Sequence, residues 1–249
     1  MKRVLVTAGG SGIGLAMGHA FDAAGYDVIV TDVDSDALDQ APASWAKHIA
    51  DASNEAQMAA VFAKIDGDLS AVCANAGIAG PTAVIEDIDL ADWQRCVSVN
   101  LDGAFLTLKY AAPRMKAAGA GSVILTSSTA GIYGYPNRAP YASAKWAIIG
   151  LMKTFAMEAG PFGVRANAIC PGAVEGPRME GVLEREAAAK SMTRDQVYDG
   201  YAKGTSMRSF VKAADIADMA VFLASDAARM VSGQVISVDG HTENPDPKI

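Results

Sequence analysis

The chain alternates short, continuous apolar runs with longer stretches in which apolar residues recur at helical spacing. Continuous Val, Ile, Leu and Ala runs are typical of strands buried on both faces of a sheet. The candidate strands are Val4–Thr7, Val28–Thr31, a weaker Lys47–Ala50, Ala71–Ala74, Ser122–Thr126, Arg165–Cys170 and Gln234–Val238. The helical patterns lie near residues 12–24, 54–65, 89–118, 141–160 and 213–225. This alternation predicts an α/β fold with a doubly wound parallel sheet of about seven strands and helices on both faces.

The stretch between the last two candidate strands is the least regular part of the chain. No Pro/Ser-rich linker or repeat divides the 249 residues, so we expect one domain. Residues 175–210 carry many charged side chains, and Pro171-Gly172 and Gly176-Pro177 open this region. Because such sheets bind ligands beyond the carboxyl ends of their strands, we predict a substrate lid at about 175–210. An ordinary solvated helical excursion is the alternative.

The composition limits the classes of partner. Apolar residues make up 51% and charged residues 20% of the chain, as in globular proteins, and the formal net charge is −7. An acidic chain is repelled by nucleic-acid backbones and by anionic membrane surfaces, so we expect neither partner. The sequence has no run of about 18 apolar residues and no signal-peptide pattern, which predicts a cytoplasmic protein.

Neither the cysteines nor the histidines indicate a disulfide framework or a metal site. The cysteines are an odd number, are widely spaced within apolar runs and are typical of small buried residues. They are Cys73, Cys96 and Cys170. The histidines lack ligand-like spacing to one another or to a cysteine. They are His19, His48 and His241.

A glycine-rich segment follows the first apolar run directly. Glycine lets the backbone approach a pyrophosphate closely, and the N-terminus of the following helix offers free N–H donors and a positive dipole. The segment therefore predicts a dinucleotide site. The residues predicted to form it are Gly9, Ser11, Gly12, Ile13 and Gly14. Their spacing differs from the usual dinucleotide fingerprint, so a run of tight turns is the alternative.

An acidic residue, Asp32, ends the second candidate strand eighteen residues after Gly14. A carboxylate there accepts hydrogen bonds from the ribose hydroxyls of NAD and repels the additional phosphate of NADP. Ser11 offers that phosphate no cation, so we expect NAD as the cofactor. Asp51, followed by Ala52, ends the third strand and is a candidate for the adenine edge. Capping of the next helix explains Asp51 almost as well.

Tyr141 and Lys145 stand four residues apart in a helical pattern and therefore on one helix face. A cation about 4 Å from a phenolate stabilises it by up to roughly 4 kcal/mol at an effective dielectric of about 20, or about 3 pKa units. The pair predicts a general acid/base that works near neutral pH. Ser128 follows the fifth strand, where its hydroxyl would hold a substrate oxygen. A tyrosine–lysine pair alone is usually a packing contact, and the elements at neighbouring strand ends favour catalysis.

This ordered set of residues resembles the short-chain dehydrogenase/reductase family, in its compact single-domain branch with a Rossmann fold. The resemblance spans nearly the whole chain. It rests on Thr7–Gly14, Asp51, Asn75-Ala76-Gly77, Asn100, Ser128, Tyr141 with Lys145, Pro171-Gly172 and Ser237–Gly240.

The resemblance implies a role for each matching residue. Tyr141 is implied as the catalytic acid/base, and Ser128 as the residue that orients the substrate oxygen. Lys145 would lower the tyrosine pKa and bind the nicotinamide ribose, and Asn100 would support a water-linked proton relay. The further implied cofactor contacts are Asn75, Ala76, Gly77, Pro171, Gly172 and Val174. Ser127 precedes Ser128, and the spacing to the tyrosine favours Ser128.

The resemblance also implies a homotetramer or homodimer that packs through the long helices near 89–118 and 141–160. Several apolar residues of these helices would serve either such an interface or the core. They are Phe105, Leu106, Leu108, Phe155 and Met157.

The chain departs from the family pattern at three places. Ala8 replaces the first glycine of the turn, where Gly9 and Gly10 would restore flexibility. Ala74 replaces the first asparagine of the usual Asn-Asn-Ala-Gly and removes one side-chain hydrogen bond. The stretch 173–177 lacks the threonine that reaches the cofactor amide in many relatives, so that contact does not carry over.

The expected substrate is a small polar secondary alcohol or ketone, such as a polyol, sugar or hydroxy acid. The expected substrate wall comprises Ala130, Ile132, Tyr133 and Tyr135, and the lid begins with Glu175, Arg178 and Met179. His241 and Glu243 lie in the C-terminal tail, which relatives can extend toward a neighbouring subunit's site. Arg178 would bind a substrate anion or be an ordinary surface arginine.

The leading interpretation is an NAD-dependent dehydrogenase with Tyr141 as acid/base. A carbonyl reductase of the 3-oxoacyl reductase type would use the same residues. A non-catalytic NAD-binding sensor is an alternative of another class, but such a protein is expected to lose Tyr141 or Lys145, and both are present.

Overall fold

A computed structural model describes residues 2–245 of the protein. Within that range seven parallel strands form one sheet in the order β3-β2-β1-β4-β5-β6-β7. The strands are β1 Arg3–Thr7, β2 Asp27–Asp32, β3 Ala46–Ile49, β4 Ala71–Ala74, β5 Gly121–Thr126, β6 Val164–Pro171 and β7 Val235–Val238. The helices are α1 Gly12–Ala23, α2 Ser35–Gln40, α3 Glu55–Ala63, α4 Leu90–Val97, α5 Gly103–Ala118, α6 Ala139–Ala159, α7 Pro177–Lys190, α8 Arg194–Lys203 and α9 Ala213–Ala224.

The predicted fold class is confirmed, and two helical regions differ from the sequence prediction. The single helix expected near 89–118 is divided into α4 and α5 by a π-helical turn at Ser98–Asp102, which contains Asn100. Such turns interrupt helices most often at functional sites. The short helix α2 was not predicted. The Asp34 side chain caps it by accepting hydrogen bonds from the backbone N–H groups of Asp36 and Ala37.

Both faces of the sheet are covered because alternate residues of the central strands point to opposite sides. Leu5 and Val72 face one apolar cluster, which α3, α5 and α6 supply with side chains such as Met115. Val6 and Cys73 face the other cluster, which is built mainly from α1 and α9. The continuous apolar runs of the sequence are thus explained by burial on both sides.

The strand order reverses between β1 and β4, and side chains fix the carboxyl ends of the strands there. Thr7 Oγ1 accepts hydrogen bonds from the backbone N–H groups of Asn75 and Ala76, at 2.9 and 3.0 Å. Asn75 Nδ2 donates to Thr7 O at 3.2 Å, and Asn75 Oδ1 accepts from Thr126 Oγ1 at 3.1 Å. The ends of β1, β4 and β5 therefore meet at the kind of switch point where α/β sheets bind ligands.

Residues 175–210 contain α7 and α8 and are called the α7–α8 segment below. It has an apolar cluster of its own, formed by Leu183, Ala187, Val197 and Phe210. At its base Val174 and Val211 form a parallel bridge, with Val211 N–H donating to Ala173 O at 3.0 Å. The segment is therefore a compact unit whose two ends lie side by side.

All three cysteines are free and buried. Among the helices of residues 2–245, none combines the length and apolar character that a membrane crossing requires. The same residues hold no cluster of three or more His, Cys, Asp or Glu side chains arranged to bind a metal ion.

Candidate active site

A cavity of about 300 Å³ opens at the carboxyl edge of the sheet, between the glycine turn and the α7–α8 segment. Such a volume is at the lower end of small-molecule sites. The predicted site residues that line it are Ser11, Gly12, Ile13, Gly14, Asn75, Gly77, Ser128, Tyr141, Lys145, Pro171, Gly172 and Val174. Six other predicted residues, Gly9, Asp32, Asp51, Ala52, Ala76 and Asn100, do not line this cavity.

The glycine turn is shaped by close backbone contacts. A Cβ atom at Gly14 would lie 1.9 Å from Ala8 O, and one at Gly9 would lie 2.6 Å from Val30 Cγ1. Gly12 adopts φ +52° with open space around it. These glycines let the turn lie flat against β1 and β2 and leave the N-terminus of α1 open to the cavity.

Ala8, which departs from the family pattern, has φ +51°. This left-handed conformation costs a residue with a Cβ atom roughly 1–2 kcal/mol. Gly9 and Gly10 were expected to provide the flexibility, but neither has a positive φ. The backbone path of the turn is possible because Ala8 itself adopts the left-handed conformation.

Asp32 lies at the outer edge of this turn. Its Oδ2 accepts a hydrogen bond from Gly10 N–H at 3.0 Å, and its Oδ1 accepts one from Asp34 N–H at 3.2 Å. The carboxylate is partly exposed, so it ties the turn to β2 and still faces solvent.

Asp51 does not cap α3, which was the alternative explanation of its presence. Asn54 is the cap, and its Oδ1 accepts from Gln57 N–H at 3.1 Å. Asp51 instead accepts hydrogen bonds from the backbone and the hydroxyl of Ser53, at 2.9 and 2.7 Å. Ala52 beside it is buried.

Tyr141 and Lys145 are brought together on the first turns of α6, as predicted from their spacing. The Lys145 ammonium lies 5.6 Å from the centre of the Tyr141 ring and donates to Thr126 O at 2.9 Å. Tyr141 is the third residue of α6, so the positive end of the helix dipole also favours its phenolate.

Two tyrosines of the cavity have pKa values shifted in opposite directions. Burial raises the pKa of Tyr135 to about 12, so its hydroxyl stays protonated and pairs with Thr129 Oγ1 at 2.9 Å. Burial also raises the pKa of Tyr141, but the charges of Lys145 and Arg178 and a hydrogen bond with Ser128 outweigh it. The Tyr141 pKa therefore lies below its usual value of 10.0, as expected for a proton-transfer group.

The neighbouring serines have different surroundings. Ser127 is almost fully buried, and its hydroxyl donates to Lys145 O at 2.8 Å, which fixes α6 against the end of β5. Ser128 is more exposed, and its Oγ accepts from Ala130 N–H at 3.1 Å. Ser128 is among the groups that lower the Tyr141 pKa, and its role in orienting the substrate oxygen stays a prediction.

Asn100 is fully buried behind the cavity. Its Nδ2 donates to Cys96 O and Ile78 O at 2.8 and 3.0 Å. Its Oδ1 has no hydrogen-bond partner among the residues that the structure describes. A Cβ atom at Gly77 would lie 2.5 Å from this oxygen and 3.2 Å from Lys145 Nζ, so the missing side chain leaves room between the two groups.

Arg138 and Glu186 form a buried charged pair that the sequence analysis did not predict. Arg138 Nη1 lies 3.9 Å from Glu186 Oε1, and both side chains are at most 7% exposed. Glu186 Oε1 accepts from Tyr201 Oη at 2.7 Å, and its Oε2 lies 3.5 Å from Lys190 Nζ. The only signal in the sequence was an arginine three residues before Tyr141.

The substrate wall matches the prediction in part. Ala130, Tyr135, Glu175, Arg178 and Met179 line the cavity. The other two predicted wall residues, Ile132 and Tyr133, do not line it. His241 and Glu243 do not line it either, and their place toward a neighbouring subunit's site stays a prediction. In the C-terminal tail, His241 Nδ1 lies 3.1 Å from Ser206 Oγ, at the end of the α7–α8 segment.

Comparison with known proteins decides the family. The family model described as enoyl-(acyl carrier protein) reductase matches residues 7–241. Levodione reductase from Leifsonia aquatica is 33% identical over 253 residues, which cover 95% of this chain and 92% of that one. The chain belongs to the short-chain dehydrogenase/reductase family.

Similarity to other proteins of the short-chain dehydrogenase/reductase family supports the same assignment. Trans-4-hydroxycyclohexanecarboxylate dehydrogenase from Sinomonas cyclohexanicum is 39% identical over 188 residues, which cover 75% of this chain and 66% of that one. The crystal structure of NAD⁺-bound xylitol dehydrogenase superposes with a TM-score of 0.92 at 28% identity and covers 96% of this chain and 98% of that one. The predicted enzyme class, a short-chain alcohol dehydrogenase/reductase, is thereby confirmed.

Proposed function

We propose that the protein uses NAD to oxidise a small polar secondary alcohol, or to reduce the corresponding ketone, with Tyr141 as the acid/base. One observation carries this proposal. A tyrosine whose pKa is held below its usual value lines the same cavity as the open N-terminus of α1. A proton-transfer group and a dinucleotide site are thus adjacent, as hydride transfer at an alcohol requires.

The glycine turn fits a dinucleotide. The absent side chains at Gly12 and Gly14 leave the N–H groups at the start of α1 accessible to a pyrophosphate. Asp32, which accepts a hydrogen bond from Gly10 N–H of the turn, is proposed to bind the ribose and to favour NAD over NADP, because its carboxylate repels an added phosphate. The remaining length of the dinucleotide would be lined by Asn75, Gly77, Gly172 and Lys145. When bound, the nicotinamide accepts or supplies the hydride.

Tyr141 accepts or donates the proton of the reacting hydroxyl. In alcohol oxidation its phenolate accepts the hydroxyl proton, and in ketone reduction its phenol donates one. Ser128 holds the substrate oxygen beside it. Lys145 stabilises the phenolate because screening of its charge is weak at its buried position, and the same burial lowers the lysine pKa.

Asn100 supports a water-linked path for the proton. A buried amide oxygen without a protein partner is rare and usually binds an ordered water. Asn100 Oδ1 is such an atom among the described residues, and the space at Gly77 separates it from Lys145 Nζ. A water in that space would connect Lys145 with the interior end of the cavity.

The substrate class follows from the wall and from the relatives. The wall combines apolar side chains, such as Met179 and Val182, with tyrosine hydroxyls and charged groups. The names of the relatives denote a hydroxycyclohexanecarboxylate, levodione and xylitol as their substrates. These observations support a polar secondary alcohol or ketone. The α7–α8 segment supplies one wall, and we propose that it acts as the lid.

The protein is further proposed to be a homotetramer or homodimer. Of the five apolar residues considered from the sequence, Leu106, Leu108 and Phe155 belong to the core, whereas Phe105 and Met157 are 48% and 80% exposed. The exposed pair supports packing between subunits through α5 and α6, and light scattering of the purified protein measures the mass directly.

Substitution of Tyr141 by Phe tests the proposal. We expect kcat for the best substrate in a panel of alcohols and ketones, tested with NAD(H) and NADP(H), to fall about 100- to 10,000-fold. NAD affinity should change little, because the ring remains. Tyr110→Phe, on the surface of α5, is the matched control and should retain full activity. Full turnover by Tyr141→Phe would show that another group transfers the proton.

A further inference from the structure

The charged side chains that line the cavity are mainly cationic. They are Arg138, Lys145 and Arg178, against one carboxylate, Glu175. The positive charge of Lys145 acts on Tyr141, and its ammonium donates to Thr126 O. The charges of the two arginines also lower the Tyr141 pKa, but neither arginine has a role in holding the substrate oxygen or in transferring the proton.

Arg138 is buried with hydrogen-bond donors left over. Its Nη2 donates to Ala79 O at 3.2 Å, whereas its Nη1 is 3.9 Å from Glu186, beyond hydrogen-bonding distance. Its buried Nε has no acceptor among residues 2–245. A guanidinium that is 6% exposed and has only part of its donors paired is costly, because buried polar groups are almost always paired. A ligand in the cavity that Arg138 lines would supply an acceptor for Nη1.

Arg178 approaches the same position from the α7–α8 segment. Its guanidinium carbon lies 6.0 Å from the centre of the Tyr141 ring, and that of Arg138 lies 4.9 Å from it. Arg178 donates to Gly77 O at 3.2 Å, and no carboxylate lies within ion-pair distance of it in the described part of the chain. Two guanidinium groups thus flank the tyrosine that is proposed to exchange a proton with the substrate hydroxyl.

We propose that Arg138 and Arg178 form a receptor for a carboxylate of the substrate, so that the preferred substrates are hydroxy acids and their keto acids. This inference rests on the proposed function and narrows its substrate class. Guanidinium groups bind carboxylates through paired, charge-assisted hydrogen bonds. A neutral polyol would leave the two cations without a counter-charge.

Glu186 lowers the net positive charge of this receptor. It compensates part of the charge of Arg138 but stays too far away to occupy its donors. Tyr201 donates to the Glu186 oxygen that lies nearest Arg138, and Lys190 pairs with the other oxygen, so the carboxylate does not move onto the arginine without losing these contacts. The receptor therefore keeps donors available, and its reduced net charge suits a monoanion.

The test measures ligand binding separately from turnover. Isothermal titration calorimetry of the NAD-bound protein compares cyclohexanecarboxylate with cyclohexanecarboxamide, and butyrate with butyramide. None of these probes carries the reacting hydroxyl. We expect each acid to bind at least about tenfold tighter than its amide, and Arg178→Gln to weaken the acid roughly 10- to 100-fold while leaving the amide unchanged. Arg185→Gln, an exposed arginine on the same helix, should retain the wild-type preference.

Arg138→Gln leaves Glu186 buried without this partner, so the double variant Arg138→Gln/Glu186→Gln accompanies it. The double variant removes both charges and should fold, bind NAD and lose the preference for the acid. Equal affinity for acid and amide, absence of binding by either acid, or an unchanged preference in Arg178→Gln would overturn the receptor. So would an Arg178→Gln variant that loses affinity only for NAD and ADP-ribose, because the arginine would then be a cofactor ligand.

Turnover distinguishes failure of this inference from failure of the proposed function. If the acids bind preferentially but no secondary alcohol is oxidised with NAD, the receptor stands and the proposed reaction fails. If neutral alcohols react as efficiently as hydroxy acids and no acid binds preferentially, the reaction stands and the receptor fails.

Discussion

The two walls of the cavity are built by different means. The proposed cofactor side, formed by the glycine turn and the ends of β1, β4 and β5, has backbone atoms that approach each other closely where Gly9 and Gly14 lack side chains. The proposed substrate side, formed by the α7–α8 segment and the start of α6, depends on side chains such as Arg138, Glu186 and Tyr201. The cofactor side therefore has no room for a Cβ atom at Gly9 or Gly14, whereas the side chains of the substrate side are adjustable.

Gly14→Ala should have the largest effect, on the cofactor side. The added Cβ atom would lie 1.9 Å from Ala8 O, so the turn or α1 must move. We expect NAD affinity to fall by at least about 100-fold and the unfolding midpoint to drop, as measured by calorimetry and thermal unfolding. Gly150→Ala is the matched control. It lies within α6 with open space around it, and it should stabilise the protein by up to about 1 kcal/mol. Wild-type NAD affinity in Gly14→Ala would contradict the close-packed turn.

Lys145→Ala should have the next largest effect, where the two sides meet. Alcohol oxidation needs the Tyr141 phenolate, so kcat/KM rises with pH through the Tyr141 pKa. Because Lys145 lowers that pKa, its removal should move the rising limb to higher pH and reduce the rate at neutral pH about 100-fold or more. Lys153→Ala, an exposed residue on the same helix, should leave the pH profile in place. An unmoved limb in Lys145→Ala would show that other charges set the pKa.

Phe210→Ala should affect the substrate side alone. Phe210 stacks on Tyr198 with ring centres 4.4 Å apart and belongs to the separate apolar cluster of the α7–α8 segment. Its truncation should loosen the segment and lower kcat/KM on the order of tenfold through KM, because the wall no longer holds the substrate in place. NAD affinity should stay within about twofold. Equal losses of NAD and substrate affinity would show that the two sides are not independent.

Ala8→Gly should have the smallest effect and should be favourable. Glycine adopts the φ of +51° without the Cβ penalty, so we expect a gain of about 1 kcal/mol and a rise of about 2–4 °C in the unfolding midpoint. Ala24→Gly should instead lower the unfolding midpoint. Ala24 is the cap residue after α1 at φ −82°, where glycine only adds conformational entropy to the unfolded chain. A lower midpoint for Ala8→Gly would mean that Ala8 is not strained.

The same difference explains how far the sequence could be interpreted. Strands buried on both faces gave continuous apolar runs, and the glycine turn and the Tyr141–Lys145 spacing are local patterns. The sheet was therefore predictable, and so was the position of the glycine turn, Tyr141 and Lys145 around one cavity. The Arg138–Glu186 pair joins the residue before α6 to α7, and no local pattern indicates that distant contact. Likewise, the strained φ of Ala8 depends on neighbours that hold the turn in place, so the sequence suggested only that the turn was unusual.

The bridge between Val174 and Val211 has a consequence for how such enzymes diversify. Because Val174 and Val211 lie side by side, the residues between them begin and end at adjacent points and form one insert. Exchange of the α7–α8 segment between homologues would preserve the proposed dinucleotide site and α6, which carries Tyr141 and Lys145. New chemical preferences can then arise by replacing one insert, with the scaffold beneath it left untouched.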